Sequence, residues 1–124
     1  MFGYGEAVTR IELANLWPMP CGWQVVIRAE WCDVTLGRPH GLSYALILQD
    51  ENGERLLGFD NSHGFDGAGD DDPFDHEHRL GIVGQRFQYN FTSPCVLVTD
   101  FFERVERACR VRNVSFEFKD YSHE

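Results

Sequence analysis

Polar and apolar residues alternate most clearly from Trp23 to Asp33. Trp23, Val25, Ile27, Ala29 and Trp31 fall on one side and Gln24, Val26, Arg28 and Glu30 on the other, which predicts a strand with one buried face. Leu42 to Gln49 is almost wholly apolar and predicts a central strand. Asp50-Glu51-Asn52-Gly53 follows, and Asn-Gly between two apolar runs predicts a hairpin whose second strand runs from Glu54 to Asp60. Partial alternation over residues 6–14 predicts a short first strand, with Pro18, Pro20 and Gly22 turning the chain into the next. Phe87 to Phe91 predicts another short strand, and the alternation of Val114, Phe116 and Phe118 a last one.

Between these last two the period changes to three and four. Val98, Phe101, Phe102, Val105, Ala108 and Cys109 share one helical face. Ser93 suits the N-cap and Pro94 the first helical position, so a helix is expected over 94–110. Asp100/Arg104, Glu103/Arg107 and Glu106/Arg110 are spaced to pair along it, each for about 0.2–0.5 kcal/mol. The fold expected is α+β: an antiparallel β-sheet of about five or six strands, arranged as a meander, with one C-terminal helix packed on one face. The 124 residues are expected to form a single domain, 1–124.

Composition narrows the setting. A hydrophobic fraction of 43% with ten Phe supports a packed core. No apolar run nears the roughly 20 residues of a membrane span, and no basic, apolar signal segment follows Met1. A cytoplasmic protein with no membrane partner is expected. Cys21, Cys32, Cys95 and Cys109 form no C-x-x-C pair and are expected to be buried thiols rather than disulfides. Trp17, Trp23 and Trp31 are expected in core or interface packing, with a ligand groove as the alternative.

The net charge of −9 is local in origin. Seven of the twenty acids lie between Asp60 and Glu77, where there is no Lys or Arg; the other thirteen nearly balance eleven bases. Residues 66–73, rich in Gly and Asp, are expected to form a mobile acidic loop. The charge opposes non-specific nucleic-acid binding, but local fields can run against net charge.

The stretch from Gly58 to Arg79 concentrates the candidate chemistry, with three of the five histidines. His76 and His78 are two apart, so on a strand they share a face. His63 and Asp60 end the preceding strand, and the acidic loop can return Asp75–Arg79 to the same edge. His63, His76, His78, Arg79 and Asp60 are therefore expected to converge in one cleft. On one reading they cleave RNA without a metal, supplying a proton acceptor, a proton donor and a cation. On a second, His63, His76 and His78 hold a divalent metal with Asp60 or Asp75; the spacing matches no established zinc motif. On a third, Asp60-Asn61 is turn chemistry and the acidic run a solvated surface.

A wider set of residues bears a resemblance. Arg38-Pro39-His40-Gly41 precedes a strand containing Tyr44. A hairpin ends in Gly58-Phe59-Asp60-Asn61, followed by His63. Asp75-His76-x-His78-Arg79 comes next, and Tyr89-x-Phe91-x-Ser93-Pro94 leads into a helix with Asp100-Phe101-Phe102 and Val105-Glu106. In this order, from Arg38 to Cys109, the chain resembles the TumE-type toxins of bacterial toxin–antitoxin pairs. That family is known mainly as growth-inhibiting toxins neutralised by a cognate antitoxin. Its members are often rich in basic residues, from which this chain departs. The resemblance implies a small toxin with a protein antitoxin as partner. With the site chemistry it gives a toxin acting on RNA through His63, His76, His78, Arg79 and Asp60, with Asn61, Asp75 and His40 in binding. No cofactor is expected on this reading; a divalent metal belongs to the alternative of a metal-dependent hydrolase. The other alternative is a non-catalytic acidic module that docks a basic partner through residues 66–77.

Overall fold

The computed structural model describes residues 12–65, 67–69 and 71–119. Six strands form one antiparallel sheet whose spatial order follows the chain: β1 (Glu12–Pro18), β2 (Gln24–Trp31), β3 (Leu42–Gln49), β4 (Arg55–Asp60), β5 (His76–His78) and β6 (Phe87–Gln88). One helix, α1 (Pro94–Arg112), packs on one face over β3 and β4. This is the α+β meander that the patterning predicts.

β1 runs past the expected end at residue 14 to Pro18; residues 6–11 of that expectation fall outside the described residues. Leu16 and Trp17 pair with Val26 and Val25. Pro18 can close the strand because β1 is a sheet edge, where a missing N–H costs no ladder bond. Pro20 and Gly22 then turn the chain: the Gly22 amide donates to the Met19 carbonyl at 3.0 Å, with Gly22 at φ +99°. Along β2 burial declines, from Val25 fully buried to Trp31 half exposed, and Trp17 is also exposed. Of the three tryptophans, Trp23 alone joins the core.

β3 is the centre of the sheet. Leu42, Tyr44, Leu46 and Leu48 are buried on the helix side, and the residues between them are half-buried on the other. β4 contributes Leu57 and Phe59 to the same core. Between them Gly58 opposes Ile47, and a Cβ there would sit 2.7 Å from the Leu46 carbonyl oxygen, so only glycine lets the two backbones approach this closely.

α1 begins as its sequence requires. The Ser93 hydroxyl accepts from the Val96 amide at 3.1 Å, Pro94 takes the first turn, and Asn113 closes the helix in the left-handed region. The buried stripe is Leu97, Phe101, Val105, Ala108 and Cys109. This corrects the expected face. Val98 is exposed, Leu97 replaces it, and Phe102 stands at the rim against Trp17 and Phe118. One residue of helix rotates the stripe by about 100°, and aromatic residues at the rim blur its edge.

Three further expectations are corrected. Residues 114–118 form no strand: Val114 and Phe118 pack against the core, and the Lys119 amide makes a lone bond to the Pro18 carbonyl at 2.9 Å. Arg104 does not serve Asp100; it reaches Glu77 and Glu103, while Asp100 accepts from the Tyr89 hydroxyl at 2.6 Å. All four cysteines are free, but only Cys109 is buried, where burial raises its thiol pKa; Cys21 and Cys95 are exposed.

Candidate functional site

The site follows from the pairing of β4 with β5. In this antiparallel ladder Asp60 lies opposite His76 and Gly58 opposite His78. The two-residue period sends Asp60, His76 and His78 to the face away from α1, on which no helix or strand packs among the described residues. The carboxylate sits between the imidazoles: Asp60 Oδ1 is 3.0 Å from His76 Nε2, and Oδ2 is 3.5 Å from His78 Nε2. The Ser62 amide and hydroxyl donate to Oδ1 at 3.2 and 3.1 Å and set the carboxylate's orientation. Burial is the largest single influence on Asp60 and pushes its pKa up. The contacts to His76 and His78 and the Ser62 amide together outweigh it, holding the carboxyl well below the usual range.

His76 is completely buried. Its Nδ1 is 2.8 Å from the Phe74 carbonyl oxygen, which can only accept, so Nδ1 carries the proton. Nε2 is close to Oδ1 but off the line that a ring N–H needs, so this contact is electrostatic and Nε2 has no hydrogen-bond partner.

His63 stacks on His76 with ring centroids 5.9 Å apart and planes within 10°; His76 meets His78 edge-on at 4.9 Å. The three imidazoles therefore form one row. A guanidinium nitrogen of Arg86 donates to His63 Nδ1. Since that donor is always charged, Nδ1 is the acceptor and the neutral ring carries its proton on Nε2. The pattern of β6 contained a signal for Arg86: Gln88 pairs with His76 and Phe87 with Glu77, so the residue before Phe87 returns to the face of the histidines.

Arg79 is not brought to this row. It belongs with Glu77 on the helix side, 3.7 Å from its carboxylate, and its guanidinium lies 4.0 Å over the Phe87 ring. There it lines a groove of about 440 Å³ with Leu57, Arg104, Arg107 and Val111. The same alternation that unites His76 with His78 separates Arg79 from them.

Of the other expected binding residues, Asp75 and Asn61 lie inside the fold and His40 is partly exposed. Asp75 is buried; His40 Nε2 is 2.9 Å from its carboxylate, and the Tyr44 hydroxyl donates to it at 2.7 Å. The Leu42 amide donates to His40 Nδ1 at 3.2 Å, so both ring nitrogens are engaged. Burial, and then the bond to Asp75, push the Tyr44 pKa far up. Asn61 is fully buried and bridges to β3, accepting from the Tyr44 amide and donating to the Leu42 carbonyl. It continues the ladder past the end of β4. Arg38 Nε donates to the Asn61 carbonyl. Asp75 and Glu77 are both internal, which removes them from any surface that residues 66–77 could offer a basic partner.

The architecture is a small open-faced α+β protein with a carboxylate–imidazole row on the bare side of its sheet. Residues 23–109 match the family described as Toxin TumE, and the chain belongs to that family. The match runs from the start of β2 through most of α1 and includes Asp60, His63, His76, His78 and Arg86. No curated protein and no solved structure matches the chain. Membership makes it a toxin of a toxin–antitoxin system and implies an antitoxin partner. No helix of the described residues is long and apolar enough to cross a membrane.

Proposed function

We propose that this toxin acts on RNA in the cytoplasm through the open-face row of Asp60, His76, His78 and His63, with Arg86 at its end. The observation that carries the reading is the carboxylate held between two imidazoles, with a third imidazole stacked beside them and its neutral tautomer set by an arginine. Cleavage of an RNA strand by its own 2′-hydroxyl needs a proton acceptor, a proton donor for the leaving oxygen, and positive charge at the phosphate. The Asp60–His76–His78 centre is the acceptor. His63, exposed with an Nε2 N–H, hydrogen-bonds the leaving oxygen, which takes its proton from water. Arg86 supplies the cation.

A shallow groove of about 400 Å³ runs across the open face from Asp60 and Ser62 past Ser43 and Ala45 to Arg28. It gives a single strand a path to the row, with Arg28 and Glu30 both at its far end and Arg86 beside His63 as the cation at the row itself. The test is induced expression with the antitoxin withheld, together with cleavage of total RNA by the purified protein. Asp60→Asn and His78→Ala should each abolish growth arrest and RNA cleavage while the folded protein still binds its antitoxin. Arrest that persists with intact RNA in either variant would overturn the reading.

A further inference from the structure

A buried ring nitrogen without a hydrogen-bond partner stands at the centre of the row. His76 donates through Nδ1 to the Phe74 carbonyl, and its completely buried Nε2 lies 3.0 Å from the Asp60 carboxylate. A buried polar atom left without a partner is costly, and a cation beside the carboxylate would satisfy it. A ring proton satisfies the pair only along the N–H direction, and the oxygen is off that line. A metal ion does not need the line between its ligands; it sits to one side of it.

We propose that Asp60, His76 and His78 bind one divalent first-row transition ion of the zinc or manganese class. One donor atom from each residue lies within 4.8 Å of the others. An ion held at about 2.0–2.2 Å by imidazole nitrogen and carboxylate oxygen sets its ligand atoms roughly 3.3 Å apart in a tetrahedral arrangement; here His76 Nε2 is 3.0 Å from Oδ1 and His78 Nε2 3.5 Å from Oδ2, so the carboxylate turns one oxygen to each ring. The surroundings are those of a ligand set. The Phe74 carbonyl fixes the His76 tautomer through the far ring nitrogen, and Ser62 orients the carboxylate. Two imidazoles and one carboxylate select a transition ion over calcium or magnesium, which prefer all-oxygen sites. Three protein ligands leave coordination open toward the bare sheet face, as in catalytic rather than structural sites. His63 is not in the set, which joins Asp60, His76 and His78.

This deepens the RNA-acting reading of the same site and rests on it for the ion's use; binding itself is tested with no substrate present. The full chain is stripped with chelator and titrated with Zn²⁺, Mn²⁺ and Co²⁺ alone, reading heat, melting temperature and Co²⁺ visible absorption. One ion per chain should bind, raise the melting temperature and give a Co²⁺ spectrum of nitrogen and oxygen ligation. Asp60→Asn and His78→Asn, both at partly exposed positions, should weaken binding by more than the roughly 10–100-fold that loss of an outer-shell partner costs. Asp71→Asn with Asp72→Asn should leave it unchanged. Absence of binding, or binding lost only with the acidic-loop pair, overturns the site. RNA cleavage by fully chelated protein would overturn the ion and spare the RNA reading; ion binding without any RNA cleavage would do the reverse.

Discussion

Arg104 Nε donates to Glu77 Oε2 at 2.9 Å, tying α1 to the back of the strand whose front carries His76 and His78. β5 is only three residues long and its outer partner β6 only two, so backbone bonds alone hold it weakly. Glu77 is nearly closed to solvent; Arg104 is about a quarter exposed. Removing one partner of a buried pair strands the other's charge, at about 3–5 kcal/mol. Because Arg104 can turn outward, Glu77→Ala should cost about 3 kcal/mol in urea unfolding and weaken toxicity without touching any row residue. Unfolding shifted by under about 1 kcal/mol would mean the pair does not anchor β5.

The helix register gives a second check. Phe101 is fully buried against Phe59 while Val98 is exposed. Phe101→Ala should cost about 3–5 kcal/mol, and Val98→Ala, at a surface position, less than about 0.5 kcal/mol. Phe102→Ala should fall between, since it loses the contacts to Trp17 and Phe118 but empties no closed cavity. Equal losses at Val98 and Phe101 would place the buried stripe one residue later.

Most of the fold was legible because its signals are local. Asn52-Gly53 set the hairpin, period two set β2 and β3, and Ser93-Pro94 set the helix start. Asp60, His76 and His78 were legible as neighbours for the same reason: a hairpin end and a spacing of two. What was misread depends on distant partners. Glu77 read as part of the acidic run and Asp75 as a binding residue of the site until Arg104 and Tyr44, 27 and 31 residues away in sequence, are seen to reach them. The spacing of two that unites His76 and His78 already puts Arg79 on the other face of the strand, so grouping it with them ran against the alternation. The alternation of residues 114–118 describes rings laid on Trp17 and α1 rather than a paired strand.

Tyr44 links the fold to pH. Burial and the bond to the Asp75 carboxylate hold its folded pKa well above the value near 10 of an unfolded chain. A raised folded pKa contributes stability that is fully present below about pH 10 and is lost as pH climbs toward the folded value, because only the unfolded chain then ionises. Stability should therefore fall steeply above about pH 10. Tyr44→Phe should be less stable at neutral pH, having left Asp75 with His40 as its side-chain partner, yet show a shallower alkaline decline. Parallel curves for the two proteins would show that Tyr44 does not drive the loss.

The two arginines flanking β5 separate the open face from the helix face. Arg86 donates to His63 beside the row; Arg79 lies over Phe87 on the opposite side. If the chemistry is on the open face, Arg86→Ala should lower RNA cleavage by about 10²–10³, the usual loss of one charge-stabilising donor, and His63→Ala by a similar factor. Because the two side chains touch, the losses in the double variant should be less than additive. Arg79→Ala should leave cleavage and growth arrest nearly intact and lose at most the about 0.5–1 kcal/mol of an exposed cation–π contact. The reverse pattern, with Arg79 needed and Arg86 dispensable, would move the active surface to the groove beneath α1, where Arg104 and Arg107 join Arg79. Measuring cleavage rate and unfolding free energy on the same preparations keeps the two effects apart.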